Sequence, residues 1–278
     1  MRATIFGASG LLGKALMREW SEDAVTGLSS SDVDIRDEMR VHIKLQELRP
    51  DWIVLAAAYA DVDGCEGNPE KAFAVNRDGA ANVAAAAKQV GARLMFVSSD
   101  YVFDGTKTSP YETDDARNPR SIYGKSKAEA EIQLLEVLPD CCIVRTSWLF
   151  GSGGKCFPDT ILKLAANRPV LDVVNDQRGS PTFTTDVARA MVQLCRKNAS
   201  GIVHATNTGD CTWFEFAEAI VRGAELGTEI RPVSSQQMAR PAPRPAYSVL
   251  SPASLREFEI TMPSWQDALR RYLQERRI

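Results

Sequence analysis

Two residues that could move a proton stand four positions apart in "SIYGKSKAEAEIQLLEVL", residues 121–138. The stretch predicts a helix, and a four-residue spacing places Tyr123 and Lys127 on the same helix face. A free tyrosine has a pKa near ~10, and a neighbouring ammonium group is expected to lower it by favouring the phenolate. The pair therefore predicts a proton donor and acceptor on a helix that faces a cofactor cleft.

A third chemical group follows the predicted strand in "RLMFVSSDYVFDG". Ser98, Ser99 and Asp100 stand where this strand ends, and ligands of doubly wound sheets bind at the carboxyl ends of strands. A serine hydroxyl there can hydrogen-bond a carbonyl oxygen that becomes an alkoxide during hydride transfer. The combination predicts carbonyl reduction, with Ser99 holding the substrate oxygen.

The hydride donor is indicated by the glycine-rich turn in "FGASGLLG". Gly7, Gly10 and Gly13 follow a short predicted strand and precede a helix, so the backbone can approach a pyrophosphate at the helix N-terminus. The end of the second strand reads "GLSSSDVDIRD", with serines where NAD-binding folds often carry an acid. Hydroxyl groups would not repel a 2′-phosphate, so the sequence favours NADPH, with NADH as the alternative.

The elements that must position these residues alternate between strand and helix through the first half of the chain. "WIVLAAA" predicts a strand buried on both faces, and "NPEKAFAVNRDGAANVAAAAKQV" predicts one long helix. The pattern predicts an α/β fold, a Rossmann-like doubly wound parallel sheet. We expect a dinucleotide-binding domain in residues 1–150, with parts of 168–197 returning to it. Residues 151–278 are then mainly a smaller, loop-rich substrate lobe.

Composition argues against several other classes of protein. The 278 residues are 44% hydrophobic with a formal net charge of −3, so neither nucleic acid nor a membrane surface is an expected partner. No apolar run approaches the ~20 residues needed to span a bilayer, and no signal peptide is recognised, so we expect a cytoplasmic protein. Six cysteines without a C-x-x-C spacing and two histidines predict neither a metal site nor disulfides.

Five motifs occur in an order that resembles a known family: "GASGLLG", "SSDYVFDG", "YGKSK", "RTSWLFG" and "NDQRGSPT". The chain resembles the dTDP-4-dehydrorhamnose reductases, which are extended short-chain dehydrogenase/reductases, over nearly its whole length. The resemblance implies NADPH-dependent reduction of the C4 keto group of dTDP-4-dehydro-L-rhamnose to dTDP-L-rhamnose. It implies a catalytic set of Ser99, Tyr123 and Lys127, with Ser99 where the family often has threonine.

The resemblance also assigns binding residues. Those implied for the cofactor are Gly7, Ser9, Gly10, Leu11, Leu12, Asp34, Ile35, Ala56, Ala57, Ala58, Tyr59, Tyr123 and Lys127. Those implied for the nucleotide-sugar substrate are Ser99, Asp100, Tyr101, Trp148, Gln177, Thr182 and Arg244, of which the last three, with Gly179 and Pro181, would face the nucleotide end.

Two positions depart from the family pattern. Gly64 stands where many relatives have lysine, which would alter the edge of the cleft. Ala15 replaces an acid that in some relatives helps to hold magnesium between subunits, so we expect no metal, and a homodimer stays open. Two alternatives remain at this point: a nucleotide-sugar dehydratase or epimerase of the same superfamily, and a non-catalytic dinucleotide-binding regulatory subunit. Asp100-Tyr101 favours simple reduction, because dehydratase relatives carry an Asp-Glu pair there.

Overall fold

The computed structural model describes residues 1–276. Its strands are β1 Arg2–Phe6, β2 Ala24–Leu28, β3 Trp52–Leu55, β4 Arg93–Ser99, β5 Cys142–Thr146, β6 Leu149–Phe150, β7 Val170–Val174, β8 Arg178–Gly179, β9 Thr182–Phe183, β10 Gly201–His204, β11 Cys211–Thr212 and β12 Glu229–Val233. Its α-helices are α1 Leu11–Glu19, α2 Glu38–Leu48, α3 Val62–Gly67, α4 Pro69–Phe73, α5 Gly79–Val90, α6 Ile122–Val137, α7 Phe157–Ala165, α8 Thr184–Arg196, α9 Trp213–Gly223, α10 Ala253–Arg256 and α11 Trp265–Glu275.

The predicted doubly wound parallel sheet is confirmed. Six strands pair in the order β10-β5-β4-β3-β1-β2, and every pairing in this sheet is parallel. Since all six strands run the same way, their carboxyl ends share one edge of the sheet. The glycine turn after β1 and the serines that end β4 therefore lie on the same side of the molecule.

Separate apolar cores cover the two faces of the sheet. On one face, α1 and α8 pack through a core that includes Leu16, Trp20 and Met191. On the other face, α2, α5 and α6 pack through a core that includes Val41 and Leu134. Burial on both faces explains why β3 and β5 consist of buried residues throughout rather than alternating ones.

The chain returns to the sheet after residue 180. Helix α8 packs against α1, and β10 adds the sixth strand beside β5. Strand β7, which begins the segment 168–197, instead pairs with β12 outside the six-stranded sheet. Most of the remaining second half surrounds its own core, which is rich in aromatic side chains such as Phe150, Phe216 and Tyr272.

One expectation about elements is wrong: strand β3 stops at Leu55, so the alanines of "WIVLAAA" lie in a loop. The expected long helix is confirmed from Pro69 to Val90, with a π-helical turn at Ala74–Asp78 between α4 and α5. Asn76 connects the loop to this turn. Its buried side chain accepts a hydrogen bond from the Tyr59 amide at 2.7 Å and donates to the Tyr59 carbonyl and the Ser126 hydroxyl at 3.1 and 3.0 Å. The π turn thus presents Asn76 to the loop and fixes its path.

Among residues 1–276, no helix is long and apolar enough to cross a membrane, and no cluster of metal-ligating side chains is found. The six cysteines are buried and unpaired with one another.

Candidate active site

A cleft of about 510 Å³ opens at the carboxyl edge of the sheet. It brings together residues from the glycine turn, the loop after β3, the end of β4, helix α6 and the loop after β5. The sequence-predicted residues that line it are Gly7, Gly10, Leu11, Leu12, Ala56, Ala58, Ser99, Asp100, Tyr101, Tyr123, Lys127 and Trp148. Ser9 is exposed on the glycine turn.

The glycine turn has the geometry that a pyrophosphate requires. Gly7 has a φ of +86°, and a Cβ at this position would lie 2.6 Å from the Ala57 amide nitrogen. A Cβ at Gly13 would lie 2.1 Å from the Gly7 carbonyl oxygen. These two glycines let the turn close tightly on α1, whose N-terminal amides face the cleft and favour an anion.

A second, smaller pocket of about 240 Å³ adjoins the glycine turn. It is lined by Asp34, Ile35, Ala57, Ala58 and Tyr59, all expected near the cofactor, and by the serine run through Ser29 and Ser30. Two cations also line it, Arg36 and Lys71. The serine run itself contains no arginine. Arg36 lies further along the chain, and its side chain lines the pocket while pairing with Asp34, which accepts from the Arg36 Nε at 3.0 Å.

The loop between the two pockets leaves room for Tyr59. A Cβ at Gly64 would lie 2.5 Å from the Tyr59 hydroxyl and 2.4 Å from Asp61 Oδ2. Asp61 caps α3 by accepting from the Gly64 amide at 3.0 Å. Glycine at 64 therefore lets the Tyr59 side chain lie against the start of α3, a direct effect of this departure from the family pattern.

Helix α6 delivers Tyr123 and Lys127 to the cleft in its first two turns. Ser121 caps the helix by accepting from the Gly124 amide at 3.1 Å. A Cβ at Gly124 would lie 2.2 Å from the Tyr101 carbonyl oxygen, so glycine lets the helix start close to the segment that follows β4. The Tyr123 and Tyr101 rings then meet edge to face, with centroids 5.7 Å apart.

The electrostatics of this pair differ from the expectation. Burial raises the pKa of the Tyr123 phenol, the nearby Asp100 charge raises it further, and the Ser99 hydroxyl lowers it. Burial also lowers the pKa of Lys127 to about 7, against the opposing charge of Glu131. The expected lowering of the Tyr123 pKa by Lys127 is not seen, because burial is the largest effect on the phenol and also disfavours the ammonium form of Lys127.

Asp100 is the third buried titratable group of the cleft. It is 1% exposed, and its Oδ1 accepts from the Ser99 hydroxyl at 2.8 Å. Burial raises the pKa of this carboxyl to about 6, although the Ser248 and Ser99 hydroxyls act to lower it. The Ser99 hydroxyl thus donates to Asp100, and its oxygen accepts from the Tyr101 amide at 3.2 Å.

The structure places the residues expected to face the nucleotide end in different surroundings. Gln177 and Arg244 line a separate pocket of about 440 Å³, and Trp213 also lines this pocket. Thr182 is fully buried and donates to the Ser180 carbonyl at 3.2 Å, so its hydroxyl faces neither pocket. Gly179 lies directly against Trp148, where a Cβ would be 2.5 Å from ring atom Cε2.

Arg244 is held by a carboxylate that sequence reasoning did not single out. Its Nη1 and Nη2 each donate to an Asp63 oxygen at 3.0 Å. Asp63 belongs to α3, next to the cofactor loop, whereas Arg244 belongs to the proline-rich segment. The pair therefore joins the two halves of the molecule beside the cleft.

Comparison with known proteins agrees with this geometry. The family model described as "RmlD substrate binding domain" matches residues 1–278. A dTDP-4-dehydrorhamnose reductase of Streptomyces griseus is 42% identical over 90% of this chain and 85% of its own length. The chain belongs to the dTDP-4-dehydrorhamnose reductase family. It is thus similar to oxidoreductases over almost its full length.

Two further relatives of the family span the whole chain. The spore coat polysaccharide biosynthesis protein SpsK of Bacillus subtilis is 41% identical over 99% of this chain and 98% of its own. The crystal structure of the Bacillus anthracis dTDP-4-dehydrorhamnose reductase in complex with NADP superposes with a TM-score of 0.96, at 38% identity and 99% coverage of both chains.

One feature of this family member was missed altogether by the sequence reading. Glu131, one turn after Lys127, is fully buried and accepts four hydrogen bonds. They come from Ser98 Oγ at 2.5 Å, Arg117 Nε at 2.6 Å, and Arg145 Nε and Nη2 at 2.9 and 2.7 Å. The only local signal is a charged residue on the apolar face of α6, four positions after Lys127.

Proposed function

We propose that the protein reduces the C4 keto group of dTDP-4-dehydro-L-rhamnose to give dTDP-L-rhamnose, using NADPH. The observation that carries the proposal is the meeting of Ser99, Tyr123 and Lys127 with the glycine turn in one cleft. A general acid, a carbonyl-orienting hydroxyl and a dinucleotide site within one cleft are what carbonyl reduction by hydride transfer requires.

The cofactor site fits NADPH. The glycine turn suits the pyrophosphate, and the pocket lined by Ser29, Ser30, Asp34 and Ile35 suits the adenosine. Arg36 and Lys71 add positive charge to that pocket, which would favour a 2′-phosphate. The Bacillus anthracis relative with NADP supports the same choice. When bound, NADPH supplies the hydride.

The chain's own residues supply the proton and the orientation. Tyr123 keeps its proton at neutral pH because burial raises its pKa, so it enters the reaction as an acid. It donates that proton to the oxygen that develops negative charge at C4. To orient the carbonyl, the Ser99 hydroxyl turns from Asp100 and donates to the same oxygen. Lys127 would bind the ribose hydroxyls beside the nicotinamide, and its ammonium form would stabilise the phenolate that is left.

The substrate is a nucleotide sugar because the site has two compartments of different chemistry. The reaction cleft is polar near Ser99 and Asp100, as a sugar ring requires. The second pocket combines the aromatic rings of Phe157 and Trp213 with Gln177 and Arg244, which suits a flat base, an amide partner and a diphosphate. We accordingly propose that the sheet-forming half holds the cofactor and the second lobe holds most of the nucleotide sugar, in a cytoplasmic enzyme.

The test follows NADPH absorbance with dTDP- and UDP-4-keto sugars. We expect stoichiometric NADPH consumption, greatest with dTDP-4-dehydro-L-rhamnose. A dehydratase or epimerase would recycle its bound cofactor and show no net consumption. Tyr123→Phe should bind NADPH with unchanged affinity and lose at least ~100-fold in kcat. Full activity of that variant would overturn the catalytic assignment, and binding without turnover by the wild type would support a regulatory subunit.

A further inference from the structure

Trp148 stands in an unusual backbone conformation at the wall of the cleft. Its φ is +45°, a left-handed value that a bulky side chain seldom adopts. Its carbonyl accepts from the Thr182 amide at 3.1 Å, which ties the strained residue to β9. Backbone strain of this kind persists only where surrounding contacts fix the residue.

Two such contacts hold the indole. The Gly179 backbone approaches so closely that a Cβ would lie 2.5 Å from Cε2 of the ring. Trp213 stacks face to face on the ring, with centroids 3.5 Å apart and planes inclined by 5°. The stack covers one face of the Trp148 ring, and the two contacts together fix the ring in the cleft wall.

Trp213 is itself rigidly placed. It is the first residue of α9, where Thr212 and Glu215 cap the helix reciprocally. Phe157 packs against its ring with centroids 4.5 Å apart. Trp213 lines both the reaction cleft and the second pocket, so its indole forms the partition between them.

We propose that Trp213 is a positioning and specificity-determining residue for the nucleotide-sugar substrate. It fixes the Trp148 ring against which the sugar lies, and it separates the sugar compartment from the base compartment. A ligand must then bridge the partition with a flexible linker, as a diphosphate does, so nucleoside-diphosphate sugars bind and free or monophosphate sugars do not. This inference rests on the proposed function, because it takes the cleft as the sugar site.

The variants are Trp213→Ala and Trp213→Phe, with Phe214→Ala, the next residue of α9, as the matched control. We expect Trp213→Ala to raise the KM for the nucleotide sugar at least ~10-fold while the Kd for NADPH stays within twofold of the wild type. Trp213→Phe should restore most of that loss, since an aromatic ring remains. A face-to-face indole pair also gives a coupled circular-dichroism band pair, which Trp213→Phe should abolish and Phe214→Ala should retain.

Two results would overturn the inference: an unchanged KM in Trp213→Ala, or an equal loss of NADPH affinity, which would indicate general structural damage. The proposed function is judged separately by wild-type turnover. If the wild type reduces none of the sugars, the affinities of the wild type and Trp213→Ala for dTDP and UDP, measured by calorimetry, test the inference instead. A nucleotide affinity at least fivefold weaker in Trp213→Ala supports the partition, and equal affinity rejects it.

Discussion

At the scale of single residues, desolvation dominates the chemistry of the cleft. Lys127 is 1% exposed, and its ammonium lies over the Phe96 ring at 3.8 Å from the centroid. The aromatic face and Glu131 stabilise the cation, but burial still lowers its pKa to about 7. Burial of the charged Lys127 side chain therefore lowers the stability of the folded protein.

That cost predicts how stability depends on pH in the absence of cofactor. The folded-state pKa of Lys127 is about 7, below the unfolded value of 10.5, so the unfolded chain binds more protons between these values. This group's contribution therefore makes the protein more stable as pH rises from about 7 to about 10. Lys127→Met should be more stable than the wild type at pH 6, by ~1–3 kcal/mol, and this difference should shrink towards pH 10.

Urea unfolding at several pH values measures this difference. Lys125→Met, which changes an exposed lysine on the same helix, should give a difference that does not depend on pH. A Lys127→Met difference that stays constant from pH 6 to pH 10 would show that the buried amine is not the source.

We expect single side chains to decide the choice of cofactor as well. Arg36 lines the adenosine pocket while paired with Asp34, so it can turn one donor towards a 2′-phosphate without losing its anchor. Arg36→Ala should raise the KM for NADPH on the order of tenfold, or ~1.4 kcal/mol, with little change for NADH. Arg40→Ala is the matched control, because Arg40 is exposed on α2 and pairs with Asp37 instead. Equal increases in the KM for NADPH and for NADH would show that Arg36 does not select between the two cofactors.

At the scale of elements, helix α6 is fixed to the sheet by polar contacts as well as apolar ones. The Glu131 carboxylate joins α6 to Ser98 on β4 and Arg145 on β5. Ser98 precedes Ser99 in the chain, and Glu131 follows Lys127 by one helical turn. The contacts that anchor the helix are therefore made next to the residues that line the cleft.

Removing the carboxylate charge leaves two arginines facing a neutral group. Glu131→Gln should destabilise the protein by about 3–5 kcal/mol, because Arg145 is fully buried and loses its ion pair. Ser98→Ala removes one hydrogen bond to the same carboxylate and should cost only about 1–3 kcal/mol. Thermal and urea unfolding of both variants measure the two losses. Equal, small losses would mean that water or a shifted side chain replaces the pair.

The sequence predicted elements well where the alternation of strands and helices determines them. The parallel sheet, the glycine turn and α6 follow from this alternation. It failed where one tertiary contact decides the local structure. Asn76, in the π turn of the long helix, bonds to Tyr59 across 17 residues and thereby fixes the loop after β3. Local patterns in the chain carry no information about such a pairing.

In the candidate site, too, local sequence predicted some features and tertiary packing determined others. Motif order brought Ser99, Tyr123 and Lys127 together, because each stands at the end of a strand or the start of a helix. Burial could not be anticipated in the same way. The raised pKa of Tyr123 and the fully buried Thr182 depend on how the second lobe packs against the sheet. The stacking of Trp213 on Trp148 could not be anticipated either, since the two residues are distant in the chain.

At the scale of the whole molecule, the ion pair between Asp63 and Arg244 joins the first half of the chain to the proline-rich segment. Asp63 on α3 accepts from both terminal nitrogens of Arg244, and the Ala242 amide adds a third bond at 3.2 Å. The proline-rich segment also packs on Gly105, where a Cβ would lie 2.5 Å from Pro245. The segment therefore spans both halves of the chain at the mouth of the two pockets.

Because Asp63 orients Arg244 without facing the substrate pocket, its loss should affect binding more than chemistry. Asp63→Asn should raise the KM for the nucleotide sugar about 5–50-fold, leave kcat within about threefold, and leave the Kd for NADPH unchanged. Asp78→Asn is the control, since Asp78 pairs with Arg77, its side chain is 52% exposed and it lines neither pocket, so it should change KM less than about threefold. A fall in kcat with KM unchanged in Asp63→Asn would instead place Asp63 in the reacting geometry, and loss of NADPH affinity would place it in the cofactor site.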